Sequence, residues 1–383
     1  MDTIVFLVGK FFPQQSSNGA VVATLAQSLA ESGRKVIVVS ESPVVATDRE
    51  FSGYVCRYVR TRSSRRSRLS LRQQSRNGTK ALVRTVMEIA RNTSIRTVIC
   101  VHRPQSTAYA GILLEKYLPD VGVQYLLLDF ALETLPENPI LASIRKLQYT
   151  SLYRRMSKGR GRVIVPPFLE CAFAEFARRE AVDKATGIGL PLLKKIESKA
   201  EQASPKTTID LLFAGGFLPR WRKPTVMLEA ISACIERDDR IRLHLYSYGC
   251  EEEVAEYCRQ FPGRIVAHGL VPQDKVSEVL LSADILINVA NSLSHGIPGK
   301  IFEYFSSGLP LLTFASGSGD PARPYLNRYP LSKSVVGEGK ELVTECLSFI
   351  SSFTGERLSF ESVCGIFPEH TPSRVSEALL AVK

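Results

Sequence analysis

A chain of 383 residues is long enough for two domains of ordinary size. Its 44% hydrophobic and 23% charged content excludes wholesale disorder, and 25 Gly with 21 Pro are too few for a collagen-like or low-complexity protein. No apolar run approaches the ~20 residues of a bilayer span, and the opening MDTIVFLVGKFFP lacks the basic lead of a secretory signal.

The formal net charge is +11, and its placement is uneven. Residues 1–190 carry 28 Lys and Arg against 15 Asp and Glu, whereas the remainder carries 21 against 23. Much of the excess lies between Glu50 and Glu88, where Arg57, Arg60, Arg62, Arg65, Arg66, Arg68, Arg72, Arg76, Lys80 and Arg84 meet no acid. Such a stretch suits a polyanion or an anionic membrane, and equally a solvated loop. Eight scattered cysteines without a C-x-x-C pair read as reduced, packed thiols of a cytoplasmic protein. The five histidines share no ligand spacing with them, so no metal site is expected.

In chain order, short apolar runs alternate with helical-period segments, the pattern of doubly wound α/β domains. Ile4–Val8 is expected as the first buried strand, followed by a polar loop and a helix from Gly19 with Val22, Leu25, Ala26 and Leu29 inward, ended by Gly33. Val36–Val39, Thr97–Val101, Val123–Leu128 and Arg162–Val165 follow as strands, with a helix around Ala81–Arg91. Glu180–Lys206 has the composition of a connection. A second series places strands at Ile209–Ala214, Ile241–Tyr246, Ile265–His268, Ile285–Val289 and Leu309–Phe314. Helices fit at Thr225–Ile235, Glu251–Gln260, Gln273–Leu281 and Lys300–Ser306, and Ser373–Val382 has a final helical pattern. The expected architecture is two Rossmann-like parallel-sheet domains facing across a cleft, 1–185 and 186–365, with a helix over 366–383 packing back across the join.

Three turns have the chemistry of ligand sites. The loop after the first strand reaches Asn18-Gly19, where a glycine opening a helix allows close approach and offers N–H groups to an anion. It contains no G-x-G-x-x-G, which argues against a dinucleotide-binding dehydrogenase. Gly215-Gly216, after a strand, precede Arg220, Arg222 and Lys223 before a helix, and Arg222 suits bidentate phosphate binding. Asn288-Val-Ala-Asn291 ends a strand, and a polar loop leads to Pro298-Gly299-Lys300-Ile-Phe-Glu303. A helix starting there would aim its positive dipole end and Lys300 at one point, a phosphate site. Glu303 fits a ribose acceptor of hydrogen bonds or a plain surface pair with Lys300 worth ~0.2–0.5 kcal/mol.

The run N-x-x-N…P-G-K-I-F-E-Y-F-S-S-G-L-P resembles the donor segment of the retaining GT-B glycosyltransferases (glycosyl transferases group 1, family 4 type), in the branch with a P-x-K-I-F-E-Y motif. The opening F-F-P…N-G, Arg222-Lys-Pro224 with Leu228-Glu-Ala230, His268-Gly-Leu-Val-Pro272, Ala283-Asp284 and Tyr325–Pro330 are similar to further segments in the same order. The resemblance implies that Arg222 and Lys300 hold the donor diphosphate, that Glu303 binds the ribose, and that Gly216, Asn291, Pro298 and Gly299 line the donor site. It places His102 near the reacting sugar and Asn18 and Gly19 on the acceptor side. The chain departs from the family's pattern at His295, where an acid is common, and at Gly216, where an arginine is usual.

The resemblance thus implies a metal-independent hexosyltransferase moving sugar from a nucleoside-diphosphate-sugar to a hydroxyl of a glycan or lipid-linked acceptor, with retention, in polysaccharide or glycolipid synthesis. It needs no cofactor beyond that substrate. The expected place is the cytoplasm, or the inner membrane face through Arg57–Arg84, with no nucleic-acid partner. A sugar-nucleotide epimerase on the same fold, and a non-catalytic polyanion-binding relative, are the alternatives.

Overall fold

The computed structural model describes residues 2–12, 16–42, 48–60, 71–132, 134–183, 185–196, 207–219, 221–272, 275–291, 299–317, 319–353 and 355–382. The chain divides into two compact units, residues 1–191 with 369–383, and residues 192–368.

The first unit runs β1 (Thr3–Val8), α1 (Ser17–Glu31), β2 (Lys35–Ser42), β3 (Arg49–Phe51), β4 (Tyr54–Arg60), α2 (Leu71–Asn92), β5 (Ile95–Val101), α3 (Gln105–Tyr117), β6 (Gly122–Leu126), α4 (Pro139–Lys158), β7 (Arg162–Val165), α5 (Pro167–Glu180) and β8 (Thr186–Gly187). Its sheet has the order β3-β4-β2-β1-β5-β6-β7-β8, parallel except for the β3–β4 pair. All six residues of β1 are buried, as a central parallel strand covered on both faces requires. Alternation divides them: Val5 and Leu7 face one apolar cluster, Ile4, Phe6 and Val8 the other.

The second unit runs β9 (Ile209–Gly216), α6 (Thr225–Arg237), β10 (Ile241–Tyr248), α7 (Glu251–Gln260), β11 (Ile265–Ala267), α8 (Val276–Leu281), β12 (Ile285–Val289), α9 (Lys300–Ser307), β13 (Leu311–Phe314), α10 (Arg323–Leu326), β14 (Ser332–Val335), α11 (Gly339–Ser351) and α12 (Phe360–Ile366). Its parallel sheet has the order β11-β10-β9-β12-β13-β14, with β9 at the point where the strand order reverses. In such a sheet, ligands bind beyond the carboxyl ends of the strands at that point.

Two expected boundaries move. The first unit extends past residue 185 because β8 pairs in parallel with β7. The C-terminal helix α13 (Pro372–Ala381) belongs to the first unit and packs on α1, with Val375 and Leu379 entering the cluster that holds Val22 and Leu25. The basic stretch is also only partly a loop: Arg57 lies in β4, and α2 begins at Leu71, while residues 61–70 lie outside the described residues. Acids from beyond the stretch reach its ends, Asp48 at 3.5 Å from Arg57 and Glu88 at 3.9 Å from Arg84. No helix among the described residues is long and apolar enough to cross a membrane.

Candidate functional site

The second unit brings several of the expected residues to the carboxyl ends of β9 and β12. After Gly216 the chain doubles back, with Leu218 N–H donating to the Arg222 carbonyl at 2.9 Å and Arg222 N–H to the Leu218 carbonyl at 2.7 Å. That turn returns the Arg222 side chain over the strand end. Its Nε donates to Asn291 Oδ1 at 3.0 Å and its Nη1 lies 3.4 Å from the Gly216 carbonyl. One guanidinium therefore ties Gly216, at the end of β9, to Asn291, just past the end of β12. Burial pulls its pKa below the ordinary arginine value, against the opposing influence of Tyr304 and Tyr248. Even lowered, an arginine stays cationic at neutral pH, so the strand ends carry a fixed, part-buried positive charge.

Helix α9 starts at the same edge of the sheet. Its cap is Gly299, which leaves the first-turn N–H groups without a capping side chain, and Gly308 closes it in the left-handed region at φ 73°. Ile301, Phe302, Tyr304 and Phe305 turn inward, which keeps Lys300 and Glu303 on the outer face. Lys300 Nζ lies 3.2 Å from Glu303 Oε2, with both side chains about a third exposed (34% and 39%). Pro298 and His295, singled out in the sequence, lie outside the described residues.

Two aromatic residues that no motif marked shape this edge. The Tyr304 hydroxyl accepts from Ala214 N–H at 3.0 Å and donates to the Ala214 carbonyl at 2.9 Å, fastening α9 to β9. Burial raises the pKa of that hydroxyl, so it stays protonated and keeps its donor. Tyr248, at the end of β10, covers Gly216: a Cβ there would stand 2.4 Å from the tyrosine Cζ. Glycine at 216 leaves the space that the tyrosine ring occupies, and any side chain there would have to displace the ring.

The other expected residues lie in the first unit and behave differently. Asn18 and Gly19 occupy the first turn of α1, but Gly19 N–H is taken by Ser16 Oγ at 3.1 Å. The expectation of a free N–H there is corrected: the cap consumes it. His102, at the end of β5, is wholly buried, with its ring 5.9 Å from that of Tyr153. Its Nε2 stands 3.3 Å from Asp129 Oδ1, which Arg103 Nε also approaches at 3.2 Å. Burial raises the Asp129 pKa, but His102 and Arg103 outweigh it and hold the carboxyl below its ordinary value. Asp129 and Arg103, 39% and 32% exposed, carry the group from the buried His102 to solvent.

Comparisons with known proteins bear on the fold and on part of the second unit. Residues 208–326, which include β9, Arg222, Asn291 and α9, match the family model Glycosyl transferases group 1. No curated protein sequence matches the chain. Among solved structures, sucrose-phosphate synthase from Thermosynechococcus elongatus superposes with a TM-score of 0.70 at 12% identity, covering 99% of this chain and 97% of that one. A glycosyltransferase from Rickettsia africae ESF-5 gives 0.64 at 13% identity, covering 100% and 97%. The UDP-GlcNAc 2-epimerase from Methanocaldococcus jannaschii gives 0.58 at 10% identity, covering 99% of each chain. With its two parallel-sheet units, the chain has a GT-B-like α/β fold, and its second unit carries a segment of the group 1 glycosyl transferase type.

Proposed function

We propose that the protein is a metal-independent glycosyltransferase that moves a hexosyl unit from a nucleoside-diphosphate-sugar to a hydroxyl of a glycan or lipid-linked acceptor. The observation that carries this reading is Arg222, held over the ends of β9 and β12 by Asn291 and Gly216. A fixed, part-buried guanidinium there suits a diphosphate, and Lys300 with the uncapped first turn of α9 would supply the rest of the countercharge. Gly299, and Pro298 before it, would let the diphosphate approach that turn, and Glu303 would accept hydrogen bonds from the ribose hydroxyls.

In this reading the bond from the anomeric carbon to the diphosphate oxygen breaks, and the leaving group keeps the electron pair. Arg222, Lys300 and the helix N–H groups stabilise the charge that develops on it. The acceptor oxygen bonds to the anomeric carbon on the same face, and its proton passes to the departing phosphate. No protein nucleophile is needed. His102, closed off from solvent, would act through Asp129, and Asn18 and Gly19 would border the acceptor. The cytoplasm is the proposed place, with the basic first half facing an anionic membrane.

A thermal-shift screen against nucleoside diphosphates and nucleotide sugars, repeated on Lys300→Ala, tests the reading. A ligand at 100 times its dissociation constant stabilises by ~2.7 kcal/mol. One nucleotide that shifts the wild type and fails with the variant is the expected result. A flat response to every nucleotide would overturn it. The similarity to the 2-epimerase favours one rival reading of the same phosphate site. Incubating the donor that shifts the protein without an acceptor separates the two: an epimerised sugar would replace the transferase reading.

A further inference from the structure

Helix α4 is divided along its length. Its second half is anchored, with Leu152, Tyr153 and Met156 buried in the core of the first unit. Its first half is bare: Ile140, Leu141, Ile144 and Leu147 are 70, 52, 44 and 72% exposed. The spacing i, i+1, i+4, i+7 sets these four side chains on one face. They make up four of the nine large apolar residues exposed among the described residues, gathered in two turns. Asn138 caps this half, its Oδ1 accepting from Ile140 and Leu141 N–H at 3.1 Å each, which satisfies two of the donors of the first turn. Contiguous apolar exposure of this kind marks a surface that something covers.

The charge around the face selects what covers it. From Asn138 to Leu169 the sequence holds no acid and seven cations, Arg145, Lys146, Arg154, Arg155, Lys158, Arg160 and Arg162. Lys146, Arg155 and Lys158 are exposed, and Arg145 is half-buried beside the apolar stripe. Arg154 is neutralised by Glu180, which leaves the cations nearest the stripe to act outward. An apolar stripe rimmed by cations on a helix lying along the surface fits the boundary between lipid headgroups and acyl chains. The apolar side chains enter the acyl region, and the cations meet anionic headgroups. We infer that the first half of α4 is an insertion element that docks the first unit on an anionic lipid bilayer. This rests on surface chemistry alone and holds whatever the nucleotide site binds.

The test is co-sedimentation of the full chain with vesicles of phosphatidylcholine mixed with phosphatidylglycerol, and with vesicles of phosphatidylcholine alone, at low and high salt. The wild type should bind the anionic vesicles and retain part of that binding at high salt, where the Coulombic share is screened. The double variant I140E/L147E should bind about tenfold less well or worse, and R145E/K146E should lose mainly the salt-sensitive part. Both apolar positions are exposed, so the thermal melt of I140E/L147E should match the wild type. Unchanged vesicle binding by I140E/L147E would overturn the inference and move docking to the Arg57–Arg84 side. Absence of wild-type binding, with a wild-type dimer that I140E/L147E turns into a monomer on ultracentrifugation, would overturn it in favour of a second copy on this face.

Discussion

The Tyr304 hydroxyl takes the place of a strand at Ala214. Pairing between β12 and β9 extends only over Ile285–Leu211 and Leu286–Leu212, after which β12 no longer pairs with β9. Ala214 remains in register with Tyr246 of β10 on its other side. Its N–H and carbonyl on the open side would be orphaned in a buried position, and the tyrosine supplies both bonds, at 3.0 and 2.9 Å. The same hydroxyl therefore lets the strands separate, where Arg222 and Asn291 meet, and fixes the helix that carries Lys300. Tyr304→Phe should cost about 1–3 kcal/mol, because it leaves a buried donor and acceptor unpaired. It should also shrink any nucleotide-induced thermal shift, since α9 would no longer be fastened. A variant melting like the wild type with an undiminished shift would show that α9 is held by packing alone.

Gly216 and Tyr248 form a second linked pair. A Cβ at 216 would stand 2.4 Å from Tyr248 Cζ and 2.6 Å from its hydroxyl oxygen. The ring is 50% exposed, so it can swing away, and Gly216→Ala should change stability by only about 0.5–1 kcal/mol. Gly216→Arg, which restores the cation usual in the resembled family, should tighten nucleotide binding about threefold at most, because part of its gain goes to holding the Tyr248 ring aside. Combined with Tyr248→Ala it should tighten binding about tenfold, the value of one added charge-assisted hydrogen bond. Isothermal titration of the two single variants and the double variant decides this. Binding by Gly216→Arg alone as tight as that of the double variant would mean that the ring does not guard the position.

The elements that were legible in the sequence are those with one clear period. β1, β9 and β12 are largely apolar runs of strand length, β10 alternates apolar and polar residues, and α6, α7 and α9 lie between recognisable ends. Helix α4 hides from that reading because its apolar residues point outward in the first half and inward in the second, so no single stripe runs its length. The β3–β4 hairpin is missed because its first strand, Arg49–Phe51, is short and mostly exposed. Lys300 and Glu303 were readable from their place after Pro298-Gly299. Tyr304 was not, since the helical period assigns it to the core whether or not its hydroxyl has a partner. Only the end of the β9–β12 pairing, a relation between distant segments, gives that hydroxyl its task.

The Asp129 group predicts a pH dependence. His102 and Arg103 hold its pKa below the unfolded value of ~3.9, so the stabilisation is complete above that value and is lost as pH falls through the folded one. Asp129→Asn should be less stable than the wild type near neutral pH, by about 1 kcal/mol or less because the carboxyl is 39% exposed. The two proteins should converge in acid. Urea midpoints at about pH 7 and about pH 3 measure the gap. A gap that persists or widens in acid would mean that the variant's loss is steric rather than electrostatic.

The return of the C-terminal segment to the first unit depends on Gly189. A Cβ at that position would stand 1.8 Å from the Glu369 carbonyl oxygen and 2.8 Å from its carbon, so the obstacle is backbone and cannot rotate away. Just beyond, His370 Nδ1 lies 3.0 Å from the Leu190 carbonyl, and Gln124 Nε2 donates to the Leu379 carbonyl at 2.8 Å. Both contacts are buried, and the one at His370 adjoins the close passage at 189. Gly189→Ala should therefore destabilise by about 1–3 kcal/mol, the cost of overpacking, and should expose residues 369–383 to proteolysis before the rest of the first unit. The cause is isolated by a double-mutant cycle with a chain ending at Pro368. In that shortened background Gly189→Ala should cost almost nothing, because its clashing partner is gone. Equal cost in both backgrounds would mean that the glycine serves the β8 region itself rather than the passage of the returning chain.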